Sequence, residues 1–290
     1  DDILLSVRAP VGPVNICDVN SCIGRGLSAI RVKNNVSNKY IYYFLKANEK
    51  QIANLGVGST FKAITQKDIH RLVIPLPSYQ DQLRISAILS KAEVLIKERN
   101  ESVDLLDEFL KSTFLEMFGD PAKNEKDWEI NVLDKTCEFE NGDRSSNYPS
   151  GVDIVDEGVI FVNSANIVDF KFAPNNPNFI TETKYHSLRS GKCNKGDILF
   201  TLRGNGLGKC CVFDSKYEYG FVNAQIVIIR PNNSINNRFL VEQFRFPTLF
   251  QNIWKLGSGS AQPQLSVFQL KKLKIIVPPY NLQTKFVNII

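Results

Sequence analysis

Histidine is almost missing from this chain: His70 and His186 are the only two in 290 residues. With so few, no Ser–His–Asp or Cys–His arrangement for nucleophilic catalysis can be assembled, and a metal site lacks its commonest ligand. The six cysteines, Cys17, Cys22, Cys137, Cys193, Cys210 and Cys211, include no C-x-x-C pair. Zinc is therefore not expected, and free thiols in a reducing cytoplasm are. No apolar run approaches the ~18 residues that cross a bilayer, and no secretory signal is present. Methionine occurs once, at Met117, and the chain opens on Asp1, so it is expected to be a piece of a longer protein.

Apolar residues make up 43 % of the chain, enough for sizeable cores in about two domains. The net charge of +5 is unevenly spread. Residues 79–118 hold five basic and eight acidic side chains, a net −3, which leaves +8 on everything else. A basic excess on the flanking regions suits a polyanionic partner such as nucleic acid.

The chain repeats itself. "DILLSVR" from Asp2 matches "DILFTLR" from Asp197, and "YIYYFLK" from Tyr40 parallels "FLVEQFR" from Phe239. "LGVGST" from Leu55 matches "LGSGSA" from Leu256, and "DIHRLVIPLPSYQDQ" from Asp68 aligns with "QLKKLKIIVPPYNLQ" from Gln269. The offset drifts only from 195 to 201, as it does when surface loops vary in length. The second copy starts near Trp128, so roughly seventy residues of the first have no counterpart here. In each copy the Gly-Ser loop is expected to precede a short helix and a strand that return the chain to a long helix.

That helix is predicted over 79–118. Ile85, Leu89, Ala92, Ile96, Arg99, Val103, Leu106, Leu110, Thr113 and Met117 fall alternately four and three residues apart, the spacing of a coiled-coil seam. Pro77 precedes it, and Gly119 with Pro121 stops it. The seam favours a partner helix over simple packing on a flanking domain. The repeat names one: the helix that begins after Tyr280. The repeated domains themselves mix β-like runs ("DILFTLR", "KCCVFD", "QIVIIRP") with helical ones ("NRFLVEQFRF", "SVFQLKKL"). The expected fold class is α+β, with duplicated domains built on curved, mostly antiparallel sheets.

Motifs of cofactor chemistry do not hold up. In "RGNGLGK" (Arg203 to Lys209) the glycines fall as G-x-G-x-G and a strand follows, where a dinucleotide or Walker loop needs a helix N-terminus. A tight hairpin accounts for them. Its tip nevertheless carries Arg203, Asn205 and Lys209, a fork, an amide and an ammonium suited to base edges and phosphates. "VPPY" (Val277 to Tyr280) has valine where an amino-methyltransferase motif needs a hydrogen-bonding residue, and the other copy reads "LPSY". Asp153, Asp156 and Glu157 read as a solvated turn, so no catalytic site is expected.

Taken together, Trp128 with Leu133, "ENGD" from Glu140, "VIFVNSANI" from Val159, "GDILFTLRGNGLGK" from Gly196, "GSGSAQPQLS" and "VPPYNLQ" resemble the target-recognition domain of type I restriction–modification specificity subunits. So does the first copy, from "DDILLSVRAPVG" through "GSTFKAITQKDIHRLVIPLPSYQDQ" into the helix. The resemblance covers essentially the whole chain. It implies residues 1–78 as the C-terminal part of one target-recognition domain, 79–118 as a spacer helix, 119–278 as a complete second domain, and 279–290 as the start of a second spacer helix. It further implies that each domain reads half of a bipartite double-stranded DNA site in the major groove, while the helices set the gap and dock methyltransferase (modification) subunits. S-adenosylmethionine, ATP and Mg2+ would sit on those subunits and on a restriction subunit, with no cofactor on this cytoplasmic chain.

DNA contacts are expected from Arg144, Asn163, Asn166, Arg203, Asn205, Lys209, Ser260 and Gln262. The helix seam of Ile85, Leu89, Ile96, Val103, Leu106 and Leu110 is expected to face a partner, and self-association through the lone helix is a further expectation. Two other function classes remain to be weighed: a self-contained DNA adenine methyltransferase, and a non-catalytic coiled-coil adaptor that binds only protein.

Overall fold

The structure is a computed structural model that describes residues 1–58, 62–257 and 263–290, and for Asn205 the backbone alone. Contacts divide the chain into two compact units, Asp1–Leu105 and Leu106–Ile290. The division falls inside the long helix rather than at residue 78 or 118, because each end of that helix packs on the unit beside it.

In unit 1, strands β1 (Ile3–Ser6), β2 (Val14–Ile16) and β3 (Leu27–Ile30) form an antiparallel sheet with β1 in the centre. Helices α1 (Asn38–Ala47), α2 (Glu49–Asn54) and α3 (Gln66–His70) follow, then α4 (Tyr79–Phe118), a 40-residue helix with the bounds that Pro77 and Gly119 set. Ile3 and Leu5 alternate inward from β1 onto Tyr40, Ile41 and Leu45 of α1, the period of two against the period of 3.6. Ser37 caps α1, its hydroxyl accepting from the N–H of Tyr40 at 3.3 Å. The start of α4 meets this unit through polar groups: buried Gln82 and Ser86, then Glu93, which accepts from Tyr43 Oη at 2.7 Å and Lys46 Nζ at 2.6 Å. Ile85, Leu89, Ile96 and Val103 are left exposed.

Unit 2 begins with the end of α4, then β4 (Ile130–Val132), α5 (Leu133–Thr136), β5 (Cys137–Asn141), β6 (Ile154–Val155), β7 (Val159–Val162), β8 (Ile167–Val168), β9 (Lys171–Phe172) and β10 (Asn178–Ile180). It continues through α6 (Glu182–Ser187), β11 (Lys192–Asn194), β12 (Ile198–Thr201), β13 (Cys210–Val212), β14 (Tyr219–Val222) and β15 (Ile226–Pro231). Helices α7 (Asn237–Arg245), α8 (Pro247–Leu256) and α9 (Val267–Lys271), strand β16 (Lys274–Ile276) and helix α10 (Tyr280–Val287) complete it. Two sheets dominate, β13-β12-β15-β5 and β11-β14-β7-β10-β6. Among the described residues every strand pairing is antiparallel except β14 with β7. Strand β12 is buried at all four positions, and its two faces belong to different cores. Ile198 and Phe200 pack with the helices, while Leu199 packs with Cys193, Cys211 and Phe213.

The last turns of α4 depart from the seam expected to run to Met117. Leu106 is exposed and Leu110 half-buried, but Phe114 and Phe118, off the seam, are the buried residues. They pack against Phe239 and Phe286 at centroid distances of 4.8–5.7 Å, edge to face except for Phe114 stacked on Phe239, so the helix ends as a core helix of unit 2.

The duplication extends to individual bonds. Asp2 takes the Arg31 guanidinium in both oxygens, as Asp197 takes that of Arg230. Asn38 Nδ2 donates to the Asp1 carbonyl, as Asn237 Nδ2 does to that of Gly196. Buried Gln82 accepts from the N–H of Ser37 at 2.9 Å and donates to the Pro77 carbonyl. Buried Gln283 accepts from the N–H of Asn236 at 2.8 Å and donates to the carbonyls of Pro278 and Ser234. The expected strand after the short helix, however, forms only in unit 2, where β16 pairs with β4. Residues 73–76 are not a strand, because no strand lies beside them among the described residues.

Replacing Gln283 by leucine strands the Asn236 N–H and two carbonyls in a dry site, which costs about 2–4 kcal/mol. Urea unfolding of the full chain should show that loss in the transition of unit 2. A change below about 0.5 kcal/mol would remove this clasp from the account.

Candidate nucleic-acid interface

Six connections of unit 2 meet at the ends of its strands, and backbone bonds hold them there. Asn223 N–H donates to the Val162 carbonyl at 2.8 Å, and Gly142 N–H to that of Ile226 at 3.2 Å. Leu202 N–H donates to the Gln225 carbonyl at 2.8 Å, and Gly204 N–H to that of Pro263 at 3.0 Å. Arg203 also bridges to Gln264. The fit is close: a Cβ on Gly142 would stand 2.3 Å from the Asn223 carbonyl oxygen, so only glycine lets those backbones meet. The tip of the β12–β13 hairpin is a 3-10 turn, Gly204–Gly206, with Gly204 at φ +72° and Gly208 at φ +83°. A Cβ on Gly206 would lie 3.5 Å from Ser164 Cβ, which places the 163–166 turn against the hairpin.

Onto this edge the loops bring Arg144, Arg189, Arg203 and Lys209, all exposed. Arg144 Nη2 donates to the Ala224 carbonyl at 3.0 Å. Partial burial, and then the positive charge of Arg203, hold the Arg144 pKa below the usual guanidinium value. Among the described residues none of these four cations forms an ion pair, whereas Arg230, Arg238 and Arg245 all do. The carboxylates of these loops are held internally: Asp143 is buried and accepts from the N–H groups of Ser145 (2.7 Å) and Arg189 (3.2 Å), and Asp153 accepts from the Ser150 N–H at 2.8 Å and pairs with Lys184 at 3.3 Å. The result is uncompensated positive charge, a surface that favours an anion.

Arg144, Asn163, Arg203 and Lys209 are thus brought together as the sequence leads one to expect. Asn166 departs from that expectation. It is buried, and its side-chain oxygen accepts from the N–H of Asn163 at 2.9 Å, while Asn163 Oδ1 accepts from that of Ala165. The pair forms a capping box whose role is to shape the turn. Only Asn163 keeps an exposed portion. Ser260 and Gln262, and the side chain of Asn205, lie outside the described residues. Sequence reasoning missed Arg189, Gln225 and Gln264, all exposed on the same edge. Gln264 sits two residues beyond the Gln262 that was singled out. Arg189 and Gln225 carry no local signal, since their proximity arises only from strand order.

Beneath the edge, Glu140 accepts from the N–H groups of Gly191 (2.7 Å) and Lys192 (3.1 Å) and from Arg230 Nη1 (2.7 Å). This anchors the Arg189 loop. The cysteines offer no nucleophile here: burial pushes the Cys137 thiol up to about 11 and Cys211 up to about 12.

Residues 1–105 and 125–290 match a family model described as the type I restriction modification DNA specificity domain. A provisionally named MjaX type I restriction enzyme specificity subunit of Methanocaldococcus jannaschii is 41% identical over 112 residues, which is 38% of this chain and 26% of the relative. The MjaIX type I restriction enzyme specificity subunit of the same organism is 26% identical over 306 residues, 99% of this chain and 69% of its own length. The chain thus spans about a quarter of one curated relative and about two thirds of the other. The crystal structure of a type I restriction–modification S subunit from M. genitalium matches in fold with a TM-score of 0.65. It is 20% identical, over 99% of this chain and 74% of that one.

Burial raises the Glu140 pKa, but Arg230 and the two N–H groups outweigh it and hold the carboxyl below its ordinary value. A depressed carboxyl stabilises the fold above its unfolded pKa of about 4.3, and that contribution is lost as pH falls through the folded value. Glu140→Gln should therefore weaken unit 2 at pH 7 by about 1–3 kcal/mol. The gap between variant and parent should narrow progressively as pH falls below about 4.3. Chemical denaturation at pH 7 and pH 3.5 checks both, and a gap that stays constant across pH would contradict the assignment.

Proposed function

The chain belongs to the type I restriction–modification DNA specificity family, and on that basis we propose that it carries the DNA-reading function of such an enzyme while catalysing nothing itself. Unit 2 is a target-recognition domain that meets one half of a bipartite double-stranded DNA site, and unit 1 is the C-terminal part of the domain for the other half. The observation that carries this reading is the edge of cations, Arg144, Arg189, Arg203 and Lys209, unpaired among the described residues, with the exposed amides of Gln225 and Gln264 among them and Asp143 buried. Phosphates bind such cations and set the register. The arginine forks and amides match the major-groove edges of guanine and adenine.

The exposed seam of α4 (Ile85, Leu89, Ile96, Val103, Leu106) suits a second helix, and around it the methyltransferase (modification) subunits dock. Pairing with the same helix of another copy is an available self-association. A restriction subunit completes the enzyme, in the cytoplasm. S-adenosylmethionine, ATP and Mg2+ belong to those partners. What supports this is that the glycine-rich stretch closes a β-hairpin and opens no helix toward a phosphate.

The test is the salt dependence of DNA binding by the full chain. Affinity should fall steeply with salt. Arg203→Ala with Lys209→Ala should flatten the log–log slope by about 1.8, at ~0.9 for each phosphate no longer neutralised. Unchanged affinity at low salt for the double variant would count decisively against this interface. Methyl transfer by the chain alone, with labelled S-adenosylmethionine and DNA, would overturn its non-catalytic role.

A further inference from the structure

The two large sheets of unit 2 carry different cations to the recognition edge. Arg203 and Lys209 stand on the hairpin that joins β12 to β13 in one sheet, while Arg189 stands on the connection that enters β11, the outermost strand of the other. Between the sheets lies an apolar layer, Leu199, Ile226 and Ile228 against Ile160, Cys193 and Val222. Apolar contact is non-directional, so it sets the separation of two layers better than their register.

Register is fixed by three side chains. β11 pairs with β14 on one side only, yet the backbone groups on its other side are taken. The Lys192 N–H donates to Glu140 Oε1 at 3.1 Å, and the Lys192 carbonyl accepts from Arg230 Nη2 at 2.8 Å. The Asn194 N–H donates to Asp197 Oδ2 at 2.9 Å, and its carbonyl accepts from the Asp197 N–H at 3.0 Å. Glu140 comes from β5, Arg230 from β15 and Asp197 from the head of β12, all in the opposite sheet. The Arg230 guanidinium holds the set together, giving Nη1 to Glu140 Oε2 at 2.7 Å, and Nε and Nη2 to Asp197 at 2.9–3.1 Å. Only the planar fork of arginine serves two carboxylates and a carbonyl at once. From Lys192 the constraint passes back along the chain to Arg189. Gly191, at φ +83°, gives a second N–H to Glu140 Oε1 at 2.7 Å, and a Cβ there would stand 3.1 Å from Gly142 Cα. The Arg189 N–H then reaches buried Asp143 at 3.2 Å.

We propose that Arg230 is a positioning residue for DNA recognition: it meets no DNA itself, and by clasping β11 to the opposite sheet it sets Arg189 at the distance from Arg203 and Lys209 at which all three reach phosphates of one duplex. Arg230 stands five residues along β15 from Gln225 of the edge, roughly 16 Å at ~3.3 Å per residue, and its guanidinium is committed on every side. The inference rests on the DNA-reading function proposed above. It goes further by giving a residue outside the edge a measurable part in binding, exerted through Arg189.

The experiment is a double-mutant cycle on the full chain, reading the salt dependence of its affinity for a labelled mixed-sequence duplex by fluorescence anisotropy. Arg189→Ala should flatten the log–log slope by about 0.9, the loss of one phosphate. Arg230→Lys, which keeps the charge and loses the fork, should flatten it equally, and adding Arg189→Ala to Arg230→Lys should flatten it no further. Arg203→Ala should remove its own ~0.9 from parent and Arg230→Lys alike. A clasp that served stability alone would lower the fraction of chain able to bind and leave the slope unchanged. Should Arg230→Lys not fold, Glu140→Gln opens the same clasp. Its amide has one acceptor where the carboxylate has two, so either Arg230 or the two N–H groups face a donor, and the same non-additive flattening is expected. Additive losses with Arg189→Ala, or an unaltered slope in Arg189→Ala or in the clasp variant, would overturn the proposal. DNA binding by the parent that ignores both salt and Arg203→Ala would overturn the DNA-reading edge itself, and this inference with it.

Discussion

In each unit one buried glutamine joins the start of a long or returning helix to the N-terminus of the helix that packs on the sheet. Gln82 does so through the Ser37 N–H, and Gln283 through that of Asn236. Both N–H groups belong to helix caps, and both amides also take a carbonyl of the Pro-containing corner just before. A buried amide with every bond made is cheap to keep and costly to disturb, and it tolerates only one alignment of the two helices. The rest of each unit depends on that alignment. The phenylalanine stack of unit 2 gathers rings from α4, α7 and α10, and it can form only when α10 leaves the corner in the direction Gln283 sets.

The recognition edge follows from the same economy of roles. Groups that shape the loops are buried or internally paired: Asp143, Asn163 with Asn166, Glu140 with Arg230, and Gly142 against Asn223. Groups free to meet a ligand stand outside that framework. Satisfying the scaffold internally lets the outward residues differ without unfolding the loops. The two copies illustrate it. Arg203 bridges to Gln264 where Arg8 bridges to Ala63, so the frame repeats while the presented side chain does not.

The two copies satisfy the segment before the corner in different ways. Gln243 and Ile276 form a two-bond clasp in one unit, and in the other their places are taken by Phe44 and Pro75 with Tyr40 holding the carbonyl. Both solutions satisfy the inward side of the segment.

Much of this was legible in the residues alone. The repeat, the bounds of the long helix, the α+β class, the glycine hairpin and the meeting of Arg203 with Lys209 are local or periodic features, and periodicity and turn chemistry act over a few residues whatever the surroundings. Strand order was not legible, and strand order decided the rest. It made β14 run parallel to β7, and it brought Gln225 and Arg189, distant in sequence and ordinary in context, to the edge with Arg144. Packing likewise turned Asn166 from a plausible base reader into a buried cap, and moved the last turns of α4 from the seam to Phe114 and Phe118. Burial and polar pairing depend on neighbours that only the folded chain supplies, so sequence by itself determined most of the elements, and tertiary structure decided whether residues 73–76 pair as a strand and which side chains remain free to act.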